Sequence, residues 1–146
     1  MKKLFFVLTV SVALFQLSSC AKKEGCTDLS AKNYNSEAEE DDGSCNYEAS
    51  IVLWMTQTTA QNFDNAGITS LTYRLDGVIV GSSGTNVYSN SAPECGANGF
   101  VTINKNLGSE KTGVYAYTVT DNNGNTVFSG TAILDANTCY KVQVQY

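Results

Sequence analysis

Four consecutive acids, Glu39-Glu40-Asp41-Asp42, stand inside the stretch CTDLSAKNYNSEAEEDDGSC, which is closed by Cys26 and Cys45. Crowded carboxylates suggest calcium, which binds through several oxygen ligands at once. The strict EF-hand pattern fails here. Placing Gly43 at its sixth position demands ligands at Ala38, Glu40, Asp42 and Ala49, and alanine has no oxygen to offer at either end of the loop. Weak calcium binding by Asp28, Asp41 and Asp42 with backbone carbonyls is the one cofactor expectation that survives. The competing reading makes the acids a solvated face on a disulfide-closed spacer.

Other chemistry is sparse. The chain has no histidine, so Ser-His and Cys-His nucleophiles and histidine-ligated metals are excluded together. Lys111-Thr112-Gly113 spells the KTG of penicillin-binding proteins, but the accompanying Ser-x-x-Lys occurs only as Ser19-Cys20-Ala21-Lys22, across an expected cleavage site. Residues 49–146 hold Asp64, Asp76, Glu94, Glu110, Asp121 and Asp135, mostly in turn-forming surroundings where aspartate serves backbone geometry. A carboxylate hydrolase would need a buried pair with separated pKa values, so no catalytic residue is assigned. Trp54, Tyr115 and Tyr117 fall in strand-like runs and read as core. Phe63 and Tyr88 fall in polar segments, and this pair is the expected contact surface.

The elements that must carry these residues begin with a targeting segment. Lys2 and Lys3 precede the apolar run LFFVLTVSVALF, and Leu17-Ser18-Ser19-Cys20 follows. The run falls short of the roughly 20 residues a membrane span needs. Leu-Ser-Ser-Cys resembles the lipobox of bacterial lipoproteins, which implies cleavage before Cys20 and acylation of its thiol and new amino terminus. Several acyl chains anchor firmly, at about 0.8 kcal/mol per buried CH2. Residues 1–19 are thus expected to be a signal peptide, and 20–25 a lipidated tether inserted in the lipid bilayer. Cleavage removes Lys2 and Lys3, leaving seven basic and fourteen acidic residues and a net charge of −7. Such a chain is a poor ligand for phosphate backbones, which excludes nucleic acid as a partner.

With Cys20 lipidated, four of the five cysteines are left to pair completely, as an oxidising compartment favours. Three connectivities are open. Cys26–Cys45 with Cys95–Cys139 keeps each pair within one compositional segment, and loop entropy puts their contributions at roughly 3 and 4 kcal/mol. The segments are an acidic module at 26–48, too poor in large apolar residues to fold unaided, and a β-domain at 49–146.

From Ser50 onward short runs rich in Val, Ile, Thr and Tyr alternate with Gly, Asn, Asp and Ser: SIVLWMTQT, SLTYRL, VIVG, GFVTINKN, TGVYAYTVT, NTVFSGTAI and CYKVQVQY. Asp76-Gly77 suits a two-residue hairpin turn. In the last run Tyr140, Val142, Val144 and Tyr146 should face inward and Lys141, Gln143 and Gln145 outward. No amphipathic helix is expected. The fold class is therefore all-β, an antiparallel sandwich of about seven strands resembling immunoglobulin or transthyretin folds, behind the disulfide-closed module. Because three strands separate Cys95 from Cys139, residues 90–99 must run back along the domain, and are expected against a sheet edge.

The Cys26–Cys45 pattern resembles a short cysteine-bounded repeat of secreted Bacteroidetes proteins, with Leu29 and Ser36 where such copies often carry proline. GVYAYTVTDNNGNTVFSGTAILDANTCYKVQV is similar to a small β-domain of exported proteins from the same bacteria. These resemblances imply lineage and address, namely an outer-membrane lipoprotein facing the periplasm or the exterior. The expected function is a non-enzymatic binding or interaction module for an unknown protein or glycan. The alternative is a structural or accessory subunit of an envelope complex, with a carboxylate hydrolase a distant third.

Overall fold

Ile51-Val52-Leu53-Trp54-Met55 carries no charged or hydrogen-bonding side chain apart from the indole, so a strand built on it has to be covered on both faces. The computed structural model, which describes residues 22–146, covers it in that way. Cys20 and the expected signal segment 1–19 lie outside the described residues.

Two short strands, β1 (Glu24–Gly25) and β2 (Glu40–Asp41), pair in parallel within the acidic module. Seven further strands form the sandwich: β3 (Tyr47–Trp54), β4 (Ser70–Leu75), β5 (Val78–Gly84), β6 (Thr102–Gly108), β7 (Thr112–Thr120), β8 (Thr126–Asp135) and β9 (Cys139–Gln143). One sheet has the order β6-β3-β9 and the other β5-β4-β7-β8. The all-β sandwich read from the sequence is the observed fold. One pairing departs from the antiparallel expectation: β9 runs parallel to β3, with Cys139 beside Ser50 and Gln143 beside Trp54. Alternation has the same period in parallel and antiparallel strands and does not report direction. Asp76 and Gly77 both have positive φ, 48° and 78°, and form the two-residue turn between Leu75 and Val78.

A helix, α1 (Gln57–Asn65), connects β3 to β4 where no helix was expected. Thr56 caps its start by accepting from the Thr59 N–H. Its end is a Schellman turn: Gly67 N–H donates to Asp64 O and Ile68 N–H to Phe63 O, with Gly67 at φ 75°. Thr59, Ala60 and Phe63 turn inward on an otherwise polar helix. So narrow an apolar stripe leaves almost no helical period to read.

Between the sheets lie Ala49, Ile51 and Leu53 of β3, Leu71, Tyr73 and Leu75 of β4, and Val119, Ala132 and Leu134 of β7 and β8. Val52 and Trp54 alternate with these residues and point out of the opposite face of the three-stranded sheet. Yet they are 0% and 9% exposed. What covers them is the connection between β5 and β6. Cys95 is bonded to Cys139, the Gly96 N–H donates to Thr102 Oγ1, and Glu94 pairs with Lys141. By register, Cys139, Lys141 and Thr102 all lie on the outer face around Val52. The connection therefore crosses the sheet face instead of following an edge, because the apolar outer face of β3 needs a cover more than the edge does.

Both expected disulfides are present, Cys26–Cys45 and Cys95–Cys139. Opening Cys95–Cys139 by a double change to serine should cost about 4 kcal/mol on the loop-entropy estimate. Because the freed segment covers the chain's single tryptophan, the emission of Trp54 should also shift red in the folded state. Denaturant titration followed by tryptophan fluorescence checks both outcomes.

Candidate functional site

The acidic module is not a free spacer. Cys26 and Ala31 are buried in the same apolar cluster as the sandwich core, and β3 begins at Tyr47, two residues before the expected boundary at 49. Its docking centres on Asp28. One carboxylate oxygen accepts from the Ser30 N–H at 2.9 Å and from the Ser30 hydroxyl at 2.7 Å. The other accepts from the Tyr47 hydroxyl at 2.8 Å and faces Lys111 Nζ at 2.5 Å. Lys32 adds a second tie to Glu48 at 2.5 Å. The fragment that spelled KTG thus contributes its lysine to a structural ion pair.

This environment shifts three titrations. Lys111, then Ser30 and Tyr47, hold the Asp28 carboxyl well below the usual carboxylate range. Asp28 in turn raises Lys111, and the Tyr47 phenol is raised by its bond to Asp28 and then by burial.

The three calcium candidates do not converge. Asp28 is spent on the junction, while Asp41 and Asp42 accept from the Gly43 and Ser44 N–H groups of their own turn. Among the described residues, no three His, Cys, Asp or Glu side chains gather as a metal-holding group. Glu39, Glu40, Asp41 and Asp42 are all exposed.

The sandwich acids also serve structure. Asp76 accepts from the Ala116 N–H, Asp135 from the Thr112 hydroxyl, and Asp121 from the Asn123 and Asn125 N–H groups. The bonds from Asn125 depress the Asp121 carboxyl.

The expected contact pair splits. Phe63 is fully buried, packed edge-on against Tyr146 at 5.1 Å, because it lies on the inner stripe of α1 and not in a loop. It is withdrawn from the contact surface. Tyr88 is 44% exposed. It borders an open cleft of about 230 Å³ between α1 and the segment after β5, lined also by Ala60, Gln61, Asp64, Thr85 and Asn86. The floor is fixed from both sides. The Thr85 hydroxyl donates to Ile68 O, its N–H to Thr69 O, and the Ser89 N–H to Met55 O. One aromatic ring, two carboxamides and one carboxylate therefore share a shallow recess, a set suited to a neutral polyhydroxylated ligand. Gln61 and Asn86 were not singled out in the sequence, and Asp64 was read there only among the structural acids, because only a helix brings Gln61 and Asp64 onto one face, one turn apart.

The sign of the pH dependence at the junction follows from the shifts. A depressed carboxyl stabilises above its unfolded value and loses that contribution only as pH falls through the folded one, while a raised lysine loses its own only on the alkaline side. The docked module should therefore stay protected from about pH 4 to about pH 10. Asp28→Asn should narrow that protection and let the Tyr47 phenol titrate at lower pH. Hydrogen exchange of residues 26–45 and tyrosine-labelled NMR read the two effects.

Compared with known proteins, the chain matches no family model, no curated protein and no solved structure.

Proposed function

We propose that the chain is a membrane-anchored lipoprotein of the cell envelope whose sandwich is a non-enzymatic binding module for carbohydrate. The observation that carries this reading is the exposed Tyr88 ring beside Gln61, Asp64 and Asn86 in one recess. A sugar presents a C–H face that packs on an aromatic ring and a rim of hydroxyls that bond to amides and carboxylates. The recess, about 230 Å³, is smaller than drug-sized pockets and suits one sugar unit of a longer chain.

The address rests on other features. Leu17-Ser18-Ser19-Cys20 supports acylation at Cys20 and attachment to the outer membrane, facing the periplasm or the exterior. Two closed disulfides agree with an oxidising compartment. No reaction is assigned, since the junction and turn carboxylates are already engaged by their own neighbours.

A glycan array probed with the purified protein tests the reading. The parent chain should retain a defined set of sugars, and Tyr88→Ala and Asp64→Asn should each weaken retention by about tenfold or more without changing thermal stability. Phe63→Ala should instead destabilise the fold by about 3–5 kcal/mol. If the parent chain retains no glycan, the competing reading stands, a structural or accessory subunit without a small ligand.

A further inference from the structure

Strand β8 is an edge strand: among the described residues it pairs with β7 and with no other strand. Which of its backbone groups are free can be worked out from its neighbour. Ala116 O accepts from the Asp76 N–H, and the Ala116 N–H donates to Asp76 Oδ1, so the polar groups of Ala116 point toward β4. Those of Tyr115 and Tyr117 therefore point toward β8, where they meet Ala132 and Gly130. Ser129, Thr131 and Ile133 are left with their N–H and C=O groups directed outward, and all three residues are exposed.

Such an edge invites strand pairing, and folded proteins block it with lysine, proline, bulges or inward-pointing charges. The other edges among the described residues carry these devices. β6 turns Lys105 inward over the Tyr115 ring at 4.6 Å, β9 carries Lys141 tied to Glu94, and β5 is bulged opposite Tyr73 and Arg74. β8 is itself bulged at Val127, between the pairs Val119–Phe128 and Thr120–Thr126, but from Phe128 to Leu134 its pairing is regular and it has no ionisable residue and no proline.

We propose that β8 is a homodimer edge, pairing antiparallel with β8 of a second copy about a two-fold axis at Thr131. The argument for a second copy is self-complementarity. This register sets Thr131 against its own counterpart and Ser129 against Ile133, within the regular stretch from Phe128 to Leu134, so the outward N–H and C=O groups of Ser129, Thr131 and Ile133 bond reciprocally. The facing threonines form a favourable cross-strand pair, and no carboxylate meets a carboxylate. An acidic chain, net −5 before and −7 after the expected cleavage, can approach itself along an uncharged strand more readily than elsewhere on its surface. The two four-stranded sheets then become one continuous sheet. The exposed cross-strand pair Val114 and Ile133 lies beside the seam.

The test uses the full chain in detergent. Sedimentation should give a dimer whose affinity falls about tenfold or more in Thr131→Lys, where two lysines face each other. Mixing Thr131→Lys with Thr131→Glu should restore dimers, which a folding defect in either variant would not do. Register is read by oxidative cross-linking. Thr131→Cys should link to itself, since its Cα atoms would lie about 5.5 Å apart. Ser129→Cys should not, at about 14 Å, but should link to Ile133→Cys. A monomeric parent chain, a dimer indifferent to charge at position 131, or cross-links only at other positions would each overturn the proposal. Loss of the dimer in the presence of an unrelated strand-forming peptide, with Thr131→Cys still self-linking in its absence, would support the edge and its self-pairing alike.

Discussion

Strand β3 has no free face, and most of the architecture answers that fact. Ala49, Ile51 and Leu53 fill the space between the sheets, while Val52 and Trp54 are buried on the far side. A three-stranded sheet has only its own loops with which to cover an outer face. The long connection between β5 and β6 supplies that cover, although its sequence, TNVYSNSAPECGANGFV, is mostly polar and its large apolar residues are confined to Val87, Tyr88, Phe100 and Val101. Hydrophobic attraction alone is weak there, so Cys95–Cys139, the Glu94–Lys141 pair and the Gly96–Thr102 bond fasten the segment in place. The disulfide compensates for missing apolar area, as in many small exported domains.

The same economy explains the acidic module. Residues 26–45 cannot fold on their own composition, and they do not have to. Cys26 and Ala31 enter the sandwich core, and Asp28 satisfies Tyr47, Ser30 and Lys111 at once. Tyr47 would otherwise bury a phenol at the start of β3 with no acceptor. The four exposed acids are what remains once every group that can help the junction has been used.

Legibility followed physical scale. Most strands whose two faces differ were readable from alternation, as was the Asp76-Gly77 turn, because each is set by neighbours in sequence. In the last run, however, Val142 and Val144 turn inward while Tyr140 and Tyr146 are exposed. The cysteine pairing followed from composition and not from proximity, since its loops span 19 and 44 residues. The helix was not. Its stripe is three residues wide, and its strongest markers are the Thr56 cap and the Gly67-Ile68 stop, punctuation that carries weight only once a helix is suspected. Missing it misplaced Phe63, whose burial depends on the helical period, and hid Gln61 and Asp64 as neighbours of Tyr88. The path of residues 90–99 was half legible: the cysteines required a return along the domain, but choosing face over edge required knowing that Val52 and Trp54 lacked a cover. The parallel entry of β9 depends on the corner at residues 136–138, where Asn137 takes φ 57° and its N–H donates to Glu48 O, linking the two sheets.

These departures have a common cause that bears on where function can sit. The elements that alternation reveals are committed to burying β3 and its partners, and their polar groups are consumed in ladders and turns. The recess at Tyr88 has buried Ala60 and Thr85 as its floor, but Gln61, Asp64, Asn86 and Tyr88 around it are exposed and are not required by the core. The free edge of β8 is likewise left over after the sandwich is complete: its inward residues Gly130, Ala132 and Leu134 pack beneath Tyr117 and the core, and its outward groups pair with no other strand among the described residues. Tyr117 stacks on Phe128 at 5.9 Å and lies against Gly130, which keeps the inner side of the strand closed while the outer edge stays open. A small sandwich that spends its disulfides and ion pairs on holding its cover and its amino-terminal module in place leaves two surfaces among the described residues uncommitted to the fold, one a concave recess rimmed by polar side chains, one a linear and uncharged edge.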